Sequence, residues 1–159
     1  ACMKSCLSQV LETGYGHHIQ RLMVIGLYSL LRGVHPKEIN AWFLASYVDA
    51  VDWVTTPNVI GMSQFADGGL MASKPYTATG AYINRMSNYC KSCQYNPKES
   101  VGPNACPFTT LYWSFLDRHR ERLSTNHRMS MQLKNLQRLD EQKLTGIRKA
   151  ADSLLHQSN

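Results

Sequence analysis

No apolar run in this chain reaches membrane-spanning length, and no basic-then-apolar leader with a cleavage site opens it. Neither a helical anchor nor a secretory signal is legible in its 159 residues. A soluble, cytoplasmic protein is the expectation. Internal repeats, low-complexity tracts and convincing strand patterns are absent too, which leaves an all-α class. Acidic residues are few: 11 Asp and Glu against 17 Lys and Arg give a formal charge of +6, compatible with an anionic partner but too mild to establish one. Cysteine is scarce and odd in number, at five. Three of the five sit at metal-like spacing, which fits a reducing cytosol better than a secreted disulfide scaffold. The chain has no initiator Met and begins inside a helical pattern, so the expectation is a C-terminal piece of a longer protein, with one core.

What is present is concentrated between Asn84 and Phe108. Cys90 and Cys93 are separated by two residues, and Cys106-Pro107 follows after a loop carrying Asn96-Pro97 and Gly102-Pro103. A C-x2-C pair can aim two sulfurs at one point, and the turn-forming residues let the third return to it, so three thiolates are expected to converge. Three unrelated thiols are the bland alternative. A closed site needs a fourth ligand, and only Cys2 and Cys6 are left. Four thiolates suit tetrahedral zinc and a cubane iron-sulfur cluster equally well, and spacing leaves the choice open.

Along the chain, Met3, Cys6, Leu7, Val10 and Leu11 predict an amphipathic first helix. His17 to Leu31 is apolar nearly all round, with Gly33 as its stop, and must be buried. Arg21 is its one charged residue. Unless its head reaches the surface, it requires an acidic partner or an anionic ligand, and Asp49 or Asp52 could serve. Pro36 opens a helix whose inner face is Ile39, Trp42, Phe43, Ser46, Tyr47, Ala50 and Val51; Thr55-Thr56-Pro57-Asn58 breaks it. Residues 59–73 carry no assignable pattern. Thr79 reads as the cap of a short helix with Tyr82, Ile83 and Met86 on one side. A helix from about Pro107 to Leu123 buries Leu111, Tyr112, Phe115 and Leu116, and its charged end from Asp117 to Arg122 reads as solvated. Asp140 caps a last helix carrying Leu144, Ile147, Ala151, Leu154 and Leu155.

Taken together, Tyr15-Gly16-His17-His18-Ile19-Gln20-Arg21, Asp49-Ala50-Val51-Asp52-Trp53, the stretch from Pro57 to Gly69, Lys74-Pro75-Tyr76 and Tyr82-Ile83-Asn84-Arg85-Met86-Ser87 closely resemble the iron-sulfur bacterial cryptochromes and photolyases, a branch that includes prokaryotic (6-4) photolyases. The resemblance runs from Cys2 to about Arg128. It implies that residues 1–159 are the C-terminal part of the helical FAD-binding domain, without the N-terminal α/β antenna domain, its chromophore, and the first part of the flavin pocket. It implies FAD and a 4Fe-4S cluster on Cys2, Cys90, Cys93 and Cys106, with Cys6 a buried small hydrophobe. By the same comparison Arg21 and Asp49 pair beside the isoalloxazine, Thr55 faces flavin N5 where some relatives are acidic, Asn58 also contacts the cofactor, and Trp42 lies on the electron path, next to Phe43 where some relatives have tyrosine. His17 and His18 face the lesion, where an imidazole could protonate the photoproduct. Tyr76 lines the same cavity, and Tyr82 and Met62 could join it. Without the resemblance, a pair of helix-capping histidines would be the preferred reading. The implied partner is UV-damaged DNA, bound by a monomer. The implied activity is light-driven repair of (6-4) pyrimidine photoproducts; the alternatives are a cryptochrome-type photoreceptor of the same fold and a zinc-stapled nucleic-acid-binding module.

Overall fold

Met3, Cys6, Leu7 and Val10 return to one side every third or fourth residue, and they form helix α1 (Cys2–Thr13), ended by Gly14 in the left-handed region at φ 62°. Cys6 and Val10 are buried, whereas Leu11 is 85 % exposed: it lies a quarter-turn past Val10 and off the inner face. The computed structural model describes residues 1–156, all helix, turn or irregular chain apart from one isolated bridge between Asn96 and Ala105. Among these residues no helix is long and apolar enough to cross a membrane. The all-α expectation holds. Instead of one core there are two compact units, Ala1–Thr77 and the residues from Ala78 onward.

In the first unit the apolar run after His17 is one unbroken helix of changing pitch: α2 (His18–Gln20), a π-helical stretch π1 (Arg21–Gly26) and α3 (Leu27–Arg32), stopped by Gly33 at φ 73°. All six residues from Leu22 to Leu27 are buried, as a helix apolar on every side demands. A second π-helical stretch, π2 (Pro57–Ser63), follows α5 (Asp52–Thr56) directly, so Pro57 does not break the chain as its sequence context suggests. A prolyl ring collides with the carbonyl four residues back, and the wider π turn gives it room. Helix α4 (Pro36–Ser46) ends earlier than the apolar pattern implies: Tyr47 is extended, and Val51 is 46 % exposed. That early stop frees Val48, whose N–H donates to the Gly14 carbonyl. The two loops are thereby pinned together.

The two π stretches touch where Gly26 meets Ser63. A Cβ on Gly26 would collide with Ser63 Oγ, and the Gln64 amide donates to the Gly26 carbonyl at 3.0 Å. Only glycine permits that approach.

In the second unit, α6 (Gly80–Met86) begins after Thr79, which contributes no side-chain cap, and exposes Met86. Helix α7 (Pro107–Arg118) buries Leu111, Tyr112, Phe115 and Leu116 as its spacing requires. It does not run through to Leu123: His119 leaves helical geometry, and α8 (Arg120–Ser124) starts afresh. The charged end is more than a solvated terminus. Asp117, only 13 % exposed, accepts from Arg120 and from Arg148 of α10 (Glu141–His156), tying α10 to α7. Asp140 caps α10 by accepting from the Lys143 N–H at 2.7 Å, and Leu144, Ile147 and Ala151 are buried. Helix α9 (Ser130–Gln137), which packs on α7, had no clear sequence signature.

Candidate functional site

Arg21 opens π1 and is the most heavily engaged side chain of the first unit. Its Nη2 donates to both carboxylate oxygens of Asp49 at 2.8 Å and its Nε donates to the Gly16 carbonyl at 2.6 Å. The Tyr47 ring lies under the guanidinium at 4.0 Å and Tyr15 stands 5.3 Å away. Asp49, not Asp52, is therefore the acidic partner. Asp52 instead accepts from the Thr56 hydroxyl. Nη1 makes no hydrogen bond among the described residues, which leaves two donors for a ligand.

Beside Arg21 lies a hollow of about 90 Å³ lined by His18, Arg21, Leu22, Phe43, Val54, Thr55, Asn58, Val59 and Ser63. At ~30 Å³ per water this holds roughly three waters. Mixed apolar walls with a few polar groups are the ordinary make-up of a small-molecule site. His18, Arg21, Thr55 and Asn58 line it together; His17, Asp49, Trp42, Tyr76 and Met62 are not on the lining. Trp42 instead stands behind it, edge-on to Phe43 at 5.5 Å and to Tyr47 at 5.9 Å. The lining residues missed by sequence reasoning, Val59 and Ser63 among them, follow Thr55 at helical intervals and were hidden by Pro57.

His17 has a structural duty. Its Nδ1 accepts from the Ile19 N–H at 3.1 Å while its own backbone N–H donates to the Gln20 side chain at 2.7 Å, a reciprocal cap on α2. Neutral His17 therefore carries its proton on Nε2. Tyr47 is 4 % exposed and its hydroxyl is buried with no hydrogen-bond partner. Burial pushes its phenol up to about 12, against the opposing pull of the Arg21 charge.

The cysteines divide between the units. Cys2 sits in the first turn of α1, and Cys6 is buried at 2 % exposure, as expected of a small core hydrophobe. Cys90 lies on a 3-10 turn, Tyr89–Ser92, followed by Cys93, and Cys106 precedes α7. All three are half-buried, and burial followed by the charges of Cys106 and Cys93 raises the Cys90 thiol. They are neighbours, but among the described residues no three His, Cys, Asp or Glu side chains are placed to hold a metal ion. Convergence on a single ion is thus not seen among the described residues. A polynuclear cluster puts several metal atoms between its sulfurs and accepts a wider set of thiolates than one zinc does.

No family model matches the chain. It is 51 % identical over 154 residues to a (6-4) photolyase of Agrobacterium fabrum, an alignment covering 97 % of this chain and 30 % of that protein. It is also 33 % identical over 94 residues to an uncharacterized protein of Acanthamoeba polyphaga mimivirus, covering 59 % of this chain and 69 % of that one. The chain thus spans less than a third of the first relative's length.

Proposed function

Because the chain belongs to the photolyase and cryptochrome family, we propose that it forms the flavin-side, C-terminal helical part of a protein that uses light to reverse (6-4) photoproducts in DNA. The observation that carries this reading is the Arg21 guanidinium, fixed by Asp49 on the wall of a hollow shared with His18, Thr55 and Asn58. FAD, when bound there, supplies the light-excited electron. Arg21 holds the cofactor, and Asp49 keeps the guanidinium from turning away. Thr55 offers a hydroxyl where an acidic side chain would offer a proton. His18, exposed at the rim, is the imidazole proposed to face the photoproduct. His17 has only Nε2 to contribute. Cys90, Cys93 and Cys106, with Cys2 as fourth thiolate, are the proposed ligands of a 4Fe-4S cluster.

A light-driven photoreceptor without repair is the second reading, and the capping duty of His17 favours it, since a helix cap needs no lesion. The deciding experiment uses the complete gene product on duplexes carrying (6-4) or cyclobutane lesions, under blue light. We expect (6-4) repair, lost in His18→Ala while flavin photoreduction persists. Photoreduction without repair of either lesion in the unaltered protein would select the photoreceptor.

A further inference from the structure

Gly80, the first residue of α6, is buried, and nothing about its backbone demands glycine. What it lacks is room. A Cβ there would stand 2.6 Å from the Cys106 sulfur, 3.2 Å from Pro97 Cα and 3.2 Å from the Thr109 hydroxyl. Thr109 closes the arrangement: its hydroxyl accepts from the Gly80 N–H at 2.9 Å and donates to the Pro97 carbonyl at 2.8 Å. One buried hydroxyl therefore clamps the start of α6 to the loop that ends in Cys106, and Gly80 is the surface on which that sulfur rests. The Cys106 backbone is held from the other side, its N–H donating to the Glu99 carbonyl at 3.1 Å while the Thr110 hydroxyl donates to Ser100.

We propose that Gly80 and Thr109 are positioning residues that set where the Cys106 sulfur stands, and thereby whether it serves as a cluster ligand. This rests on the iron-sulfur reading above. Outer-shell contacts of this kind govern metal sites nearly as strongly as the ligands themselves. Adding a methyl at Gly80 pushes the sulfur away from the α6 start. Replacing Thr109 by valine leaves the Gly80 N–H and the Pro97 carbonyl unpaired, while serine keeps both bonds.

The test uses the full-length protein, purified without oxygen, with iron and acid-labile sulfide counted per chain and the broad visible band recorded. Unaltered protein and Thr109→Ser are expected to hold about four irons, the content of a cubane on four thiolates. Gly80→Ala and Thr109→Val are expected to lose at least one iron and to change the band. The sign of the Gly80→Ala effect is informative, because helix propensity alone favours alanine and a yielding sulfur would leave a protein that melts higher with its iron intact. That outcome overturns the proposal while the iron-sulfur reading stands. If Gly80→Ala fails to fold, equal iron in Thr109→Val and Thr109→Ser overturns it. Unaltered protein free of iron overturns both.

Discussion

At the scale of single residues, Tyr47 shows how a side chain can be placed for its ring at the expense of its hydroxyl. The ring packs against Phe43 at 5.2 Å and under Arg21 at 4.0 Å, whereas the oxygen is buried with nothing to bond. An unmade buried hydrogen bond costs more than an absent hydroxyl, so Tyr47→Phe should stabilise the protein by about 1 kcal/mol at neutral pH. Chemical denaturation measures that gain. The same substitution has an alkaline signature. An unfolded phenol ionises near 10 and the folded Tyr47 at about 12. Protons leave the unfolded chain first, so the Tyr47 contribution is intact below pH 10 and is lost as pH climbs from 10 to about 12. Denaturation midpoints at pH 8 and pH 11 should therefore fall further apart in the unaltered protein than in Tyr47→Phe. An equal fall in both would remove the phenol from the account.

At the scale of elements, the two π-helical stretches and the break at His119 are what periodicity could not deliver. The sequence pattern located α1, the buried helix after His17, α7 and α10 because each buries one face, or all faces, at ordinary helical spacing. It located Arg21 and its need for a carboxylate from the cost of burying an unpaired charge. It could not show that Pro57 continues a helix, nor that the stretch it opens packs back on Gly26 through Ser63, 37 residues away in the chain. Gly26→Ala should drive the two stretches apart and cost about 1–3 kcal/mol by overpacking. Ser63→Gly, which removes the atom that the new methyl meets, should recover part of that loss, and a double-mutant cycle measures the coupling. His119 is a different kind of joint. Its ring stacks on Phe115 at 4.6 Å, and burial, then Arg118 and Arg122, lower its affinity for a proton. The unfolded chain takes that proton near 6.5 and the folded chain only at lower pH, so stability falls as pH drops below 6.5, until the folded imidazole also titrates. His119→Leu should lose less of its thermal midpoint between pH 7.5 and pH 5 than the unaltered protein does.

At the scale of the whole molecule, the packing role of Cys6 and the binding role proposed for the other four cysteines call for opposite experiments. Cys6 is 2 % exposed on the inner face of α1, where its neighbours along the helix are Met3 and Val10. A hydroxyl in its place must be desolvated, so Cys6→Ser should cost about 1–3 kcal/mol in denaturation while leaving the metal content of the full-length protein unchanged. Cys2 is half-exposed in the first turn of the same helix, one turn away. If it is the fourth thiolate, Cys2→Ser should lower iron and sulfide in the full-length protein, as should Cys90→Ser, Cys93→Ser and Cys106→Ser. Spacing alone could not separate Cys2 from Cys6, since both lie on one helical face four residues apart; the resemblance implied Cys2 as the ligand and Cys6 in the core, and Cys6 is the buried one. Full iron in Cys2→Ser together with reduced iron in Cys6→Ser would exchange the two roles, because the residue that holds the metal must be the one whose loss releases it.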